Sequence, residues 1–145
     1  MLAEKNLSLL YDPLYKYNYK ATVEFEDVDS YGIAHHSRLI NYLERARVHY
    51  LAGCGLSVAD PTFALVVAEM NIKFMEPVRL LEEITVSSSI RKLSQVSLFW
   101  DYDVVQEQRM ILHAEVKLAS VDPASKKLRP MPAAHREALA ALVQP

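Results

Sequence analysis

Residues 32–55, GIAHHSRLINYLERARVHYLAGCG, are where the hydrophobic period of the chain changes. Leu39, Leu43, Ala46, Tyr50 and Cys54 recur at spacings of three and four, which sets one apolar face along a helix of about five turns. Gly53 and Gly55 stand where a left-handed residue commonly closes a helix. An apolar stripe of that length has to be covered by another layer.

The rest of the chain supplies it, because the period elsewhere is two. Upstream, KATVEFE (20–26) sets Ala21, Val23 and Phe25 against Thr22, Glu24 and Glu26, the pattern of a half-buried strand. Downstream of a connection containing Pro61, Ala68, Met70, Ile72 and Phe74 alternate with polar residues up to Pro77. Three further runs follow, carrying Ile84 to Ile90, Val96 to Val104 and Met110 to Leu118 on one face. Their short polar connections argue for consecutive antiparallel strands. Asp122-Pro123 ends them, and AAHREALAALV (133–143) reads as a short terminal helix. The expected fold is α+β: a five-stranded antiparallel sheet wrapped around one long helix. Apolar residues on both faces of Leu98, Phe99 and Trp100 point to an exposed edge or a second buried surface, as in an oligomer. The turn signal Asp12-Pro13 marks residues 1–17 as an N-terminal arm, leaving 18–145 as a single domain.

The bulk numbers narrow the function. The chain has 145 residues, 51% of them hydrophobic and 23% charged, an ordinary globular balance. Sixteen Lys and Arg stand against eighteen Asp and Glu, so no basic stripe is available to neutralise a nucleic acid. One cysteine excludes an intrachain disulfide and fits a reducing compartment. Near a helix end, Cys54 reads as an inert thiol rather than a nucleophile. The N-terminal residues lack a signal-peptide pattern, and no apolar run reaches the ~18 residues of a membrane span, so the expected location is the cytoplasm.

Immediately before the helix, EDVDSYGIAHHSRL (26–39) gathers two aspartates, a glycine and adjacent histidines. Calcium does not suit it. Asp27, Asp29 and Gly32 match the front of an EF-hand loop, but the fifth position is Tyr31 and the twelfth is Arg38 where a bidentate Glu is required. Zinc does not suit it either, since His35 and His36 diverge and no His recurs at i+4. Two readings stay open on spacing alone. One is a solvated loop whose Asp side chains cap local backbone. The other is a hydrolytic site, with a carboxylate ahead of the free N–H groups of a helix N-terminus.

VEFEDVDSYGIAHHSRLINYLERAR (23–47) resembles the hot-dog-fold thioesterases of the 4-hydroxybenzoyl-CoA thioesterase and YbgC-like group. Their signature is an aromatic residue followed by x-D-x-D-x-x-G-[IV]-[VA]-x-[HNY], then a helix containing E-R-A-R. The resemblance continues through 63–86 and 113–132. It implies a hot-dog fold and an acyl-CoA thioesterase that uses no metal or other cofactor, with acyl-CoA or acyl-carrier protein as substrate. It also implies a homo-oligomer, a dimer or a dimer of dimers, with homotetramers represented in the group.

By position, the resemblance makes Asp29 the catalytic carboxylate and assigns the amide of His36 to polarise the thioester carbonyl, with the His36 side chain assisting. Gly32 supplies the turn, and Ile33, His35, Phe25 and Leu39 fall around the acyl group. Three departures touch that pocket: Phe25 stands where Tyr is frequent, His35 where an aromatic is frequent, and Leu39 where Tyr is usual. Arg91 and Lys92 are candidates for the CoA phosphates. Glu44, Arg45 and Arg47 read as an ion-paired helix face. Hot-dog lyases need a His paired with an acid at a different spacing, which is absent here. A non-catalytic acyl-binding module on the same fold is the remaining rival.

Overall fold

The computed structural model describes residues 17–56 and 62–143. β1 (Tyr17–Thr22) leads through a short 3-10 turn (Phe25–Asp27) to α1 (His36–Gly53). Four strands follow, β2 (Ala64–Phe74), β3 (Glu83–Leu93), β4 (Ser97–Gln106) and β5 (Arg109–Val121), and then α2 (Ala133–Ala140). They form one sheet in the order β1-β3-β4-β5-β2, and each neighbouring pair is antiparallel. Except for Tyr17, the N-terminal arm lies outside the described residues, as does Pro61.

α1 buries Leu39, Tyr42, Leu43, Ala46 and Tyr50, all at most 5% exposed, within one core with the inner row of the sheet. That row runs through Ile84, Val86, Ile90, Leu98, Trp100, Tyr102, Val104, Leu112, Ala114, Val116 and Leu118. Each such aliphatic side chain contributes about 1.5–3 kcal/mol of burial, so this interface dominates the stability of the fold. Tyr50 meets Trp100 edge to face at 5.1 Å between ring centroids. Cys54 caps the helix C-terminus, where burial pushes its thiol up to about 11, which leaves it un-ionised and inert.

Three details differ from the period-two reading. The first strand lies at Tyr17–Thr22 rather than 20–26: after Val23 the chain turns, and Phe25 sits in the 3-10 turn, 82% exposed. A register shift between Val104 and Val105 leaves Met110 37% exposed and turns Ile111 inward instead. β2 begins four residues before Ala68, carries its own irregularity between Val67 and Glu69, and ends with Phe74 half exposed.

Candidate active site

The loop that joins β1 to α1 is built by its own polar residues. Val23 still pairs with the segment before β3, donating to Glu82 O at 3.0 Å and accepting from Leu81 N at 2.8 Å. Glu24 and Asp27 then turn the chain, because Asp27 N donates to Glu24 O at 2.9 Å and Glu24 N donates to the Asp27 carboxylate at 3.2 Å. Asp27 is only 3% exposed and also accepts a hydrogen bond from the Tyr42 hydroxyl of α1.

From Asp27 the chain makes a narrow excursion and returns. Val28 bridges to Ala34, Asp29 N donates to Ile33 O at 2.9 Å, and Gly32 N donates to Asp29 O at 3.0 Å. Gly32 closes this turn with φ +75°, a conformation that L side chains rarely adopt. One carboxylate oxygen of Asp29, Oδ1, accepts the amides of Tyr31 at 2.8 Å and Ile33 at 3.2 Å. Its Oδ2 has no hydrogen-bond partner among the described residues.

α1 starts where this loop ends. Any α-helix leaves its first four N–H groups without intrahelical acceptors. Here, counted from the cap residue His35, three of them find other acceptors: His35 N donates to Asp27 O at 2.8 Å, Ser37 N to His35 Nδ1 at 3.3 Å and Arg38 N to His35 O at 2.9 Å. Among the described residues the fourth, His36 N–H, has no acceptor. That donor also lies at the positive end of the helix dipole.

Asp29 and His36 both line one cleft of about 350 Å³. Asp29, Ala34, His35, His36 and Leu39 line it from the loop and helix, and Phe74, Met75, Glu76 and Pro77 from the end of β2. The His36 ring lies 4.2 Å from that of His35 and meets Phe74 edge-on at 6.1 Å, centroid to centroid. Five of the candidate residues thus divide cleanly: Asp29, His35, His36 and Leu39 share the cleft, and Phe25 does not line it. Gly32 and Ile33 shape the turn beneath it.

Arg91 and Lys92 sit elsewhere. Lys92 pairs across the sheet with Phe99 and Phe99 with Lys117, five residues along β5 from Leu112, the cross-strand partner of Phe74. At about 3.4 Å per residue that is roughly 17 Å from the cleft along the strand alone. Arg91 pairs with Asp101 at 3.1 Å, and the Arg91, Lys92 and Lys117 cations all lie 5.6–5.7 Å from the Phe99 ring centroid. Among the described residues no three His, Cys, Asp or Glu side chains converge as a metal site would require, and no helix is long and apolar enough to cross a membrane.

Residues 31–113, more than half of the sequence, match the thioesterase superfamily. The chain belongs to that family. It is a thioester hydrolase, and its sheet and central helix form the hot-dog fold. The acyl-CoA thioester hydrolase YbgC of Escherichia coli O6:H1 is 28% identical over 120 residues, covering 80% of this chain and 90% of that protein. Among solved structures, the hypothetical protein TT1821 of Thermus thermophilus superposes with a TM-score of 0.82 at 25% identity, over 90% of this chain and 99% of that one. Slr0204 of Synechocystis, a 1,4-dihydroxy-2-naphthoyl-CoA thioesterase, superposes with a TM-score of 0.80 at 20% identity and the same coverage, a likeness of fold alone. The superfamily match begins at Tyr31, two residues after Asp29.

Period and motif reading missed the far wall of this thioesterase cleft. Phe74 belongs to an alternating run, which gives its face and not whether that face meets the core or a cleft. Pro77 directly after a Phe-Met-Glu sequence was the one available signal that the strand stops there and leaves apolar groups at an open end.

Proposed function

We propose that this thioesterase hydrolyses acyl-CoA to a carboxylic acid and free CoA, with Asp29 and the His36 amide as its catalytic pair. The observation that carries the reading is the unspent His36 N–H in the same cleft as the free carboxylate oxygen of Asp29. The thioester carbonyl oxygen would accept from His36 N–H, which holds the negative charge that develops as water adds. Asp29 takes the proton of the attacking water as general base. The C–S bond of the tetrahedral intermediate then breaks, and the CoA thiolate leaves and takes up that proton. Tyr31 N–H and Ile33 N–H on Oδ1 fix the carboxylate in orientation and leave Oδ2 for this transfer. The naming of the E. coli relative for acyl-CoA thioesters supports CoA as the carrier.

The same reading includes a homodimer. β2 is an eleven-residue edge strand with Val66, Val67 and Phe74 39–50% exposed, the kind of edge that natural proteins cover. Antiparallel pairing of two copies about Asn71 sets Glu69 of each opposite Lys73 of the other and brings the Phe63–Leu65 end of one β2 toward the cleft of its neighbour.

Thiol release measured across short, medium, long and aromatic acyl-CoAs and an acyl-carrier protein, in the presence of chelator, tests the activity. Release from at least one acyl-CoA is expected. Release from the carrier protein alone would reassign the substrate, and inactivity throughout would make the chain an acyl-binding module.

A further inference from the structure

Asp27 is the most deeply buried ionisable residue of the motif, 3% exposed. Moving a carboxylate out of water is costly unless it is fully paired, so a fold that keeps one has a use for its geometry. Its bonds indicate that use. The carboxylate accepts the Tyr42 hydroxyl, from the second turn of α1, and Glu24 N–H at 3.2 Å. Its backbone carbonyl accepts His35 N–H, the helix cap residue, at 2.8 Å. Asp27 is therefore tied to α1 twice, at the cap and again by a side chain about 10 Å further down the helix at 1.5 Å per residue.

The loop bearing Asp29 departs from this residue and returns to it. Val28 bridges to Ala34, and His35 closes on the Asp27 carbonyl, so the excursion hangs from one buried point. Burial, followed by the Asp27 hydrogen bond, raises the Tyr42 hydroxyl above its ordinary value, so it remains a donor at any working pH. A hydroxyl-to-carboxylate bond is charge-assisted and directional, unlike the apolar contacts around it.

We infer that the buried Asp27–Tyr42 pair is the positioning device of the active site, setting the separation between the Asp29 carboxylate and the His36 amide. The inference rests on the roles proposed above for Asp29 and His36. Neither Asp27 nor Tyr42 lines the cleft, so the pair acts through the loop and not on substrate. Loss of the tie lets the loop shift against the helix, and small displacements of reacting groups are expensive in turnover.

The test compares wild type, Tyr42→Phe, Asp27→Asn and the double variant Asp27→Leu/Tyr42→Phe. Butyryl-CoA and benzoyl-CoA serve as probes, with thermal midpoints and amide hydrogen exchange measured in parallel. Tyr42→Phe should lower kcat about 10-fold with KM within about 2-fold, the pattern of misplaced catalytic groups. Exchange at Tyr31 and Ile33, the amides on Asp29, should quicken about 10-fold while Trp100 and Tyr102 in the sheet keep their protection. Asp27→Asn keeps an acceptor for Tyr42 and should recover most of the kcat lost in Tyr42→Phe. The double variant removes carboxylate and hydroxyl together at the cost of the Glu24 N–H bond, so it should regain part of the thermal stability lost in Tyr42→Phe and none of the kcat. Lowered thermal midpoints with unchanged kcat and unchanged exchange at Tyr31 and Ile33 would overturn the inference. Should wild type cleave neither probe, the proposed activity falls for these substrates, and the exchange data alone decide the positioning role.

Discussion

At its N-terminus α1 leaves the His36 amide unspent beside an exposed carboxylate, whereas at its C-terminus it satisfies its own backbone. Gly55 N–H reaches Ala52 O at 3.0 Å and Leu56 N–H reaches Leu51 O at 2.9 Å, a paired closure around a left-handed glycine. The N-terminal end adjoins the open cleft. Leu51 and Leu56, at the other end, line a smaller and mainly apolar cavity of about 150 Å³ with Phe63 and Leu139. One helix thus has a chemically available end and a structurally completed one. A helix terminus acts as a binding device only where the loop before it withholds an acceptor. Here the amides of His35, Ser37 and Arg38 all find acceptors and that of His36 is left.

Asp29→Asn is the sharpest test of that contrast. The variant keeps the shape and the acceptor for Tyr31 and Ile33 but removes the basic oxygen, and hydrolysis should fall by at least ~10²-fold with the thermal midpoint nearly unchanged. Asp27→Asn should cost far less. The reverse ranking, measured as kcat with the best acyl-CoA, would shift the catalytic assignment by two residues.

A matched pair of glycines gives the next largest effect. Gly32 and Gly55 have nearly the same φ, +75° and +77°, and a methyl added at either meets nothing within 4 Å. Alanine should therefore cost about 1–2 kcal/mol at each from backbone conformation alone. Gly32→Ala should also lower kcat, since the strain falls on the loop that carries Asp29, and Gly55→Ala should leave kcat unchanged. Equal losses of kcat in both would erase the distinction between the two ends.

The smallest effect is expected away from the helix. Arg91 and Lys92 are engaged with Asp101 and the Phe99 ring, so replacing both with Ala should change KM and kcat by no more than about 2-fold, as exposed pairs usually do. A rise in KM with kcat intact would return them to the CoA phosphates.

Much of this architecture is legible in the sequence because burial imposes periods. The α1 face from Leu39 to Tyr50 and the inner rows of β3 and β4 follow their expected registers residue by residue. Asp29 and His36 were candidates through the family resemblance, and both line one cleft. What escaped were features with no period. A bulge reverses facing locally, as at Met110 and Ile111, and nothing in RMILHAEVKLASV marks it. Alternation also cannot separate a core position from the wall of a cleft, so it does not reveal the place of Phe74. The Asp27–Tyr42 bond joins residues fifteen apart through tertiary packing, and neither residue type announces it.

The strand order β1-β3-β4-β5-β2 also governs how the chain assembles. β3, β4 and β5 are joined by short turns and can zip together locally, at low loop-closure cost. β2 has no partner until β5 exists, so all residues from Met75 to Gln108 must be made before it can dock. In order of synthesis it is the last strand to gain a partner, and long-range pairing of this kind is the slow event in folding. A nascent chain that has not yet emitted Arg109 carries β2 with both edges bare. During synthesis that interval is when this chain is most exposed to aggregation.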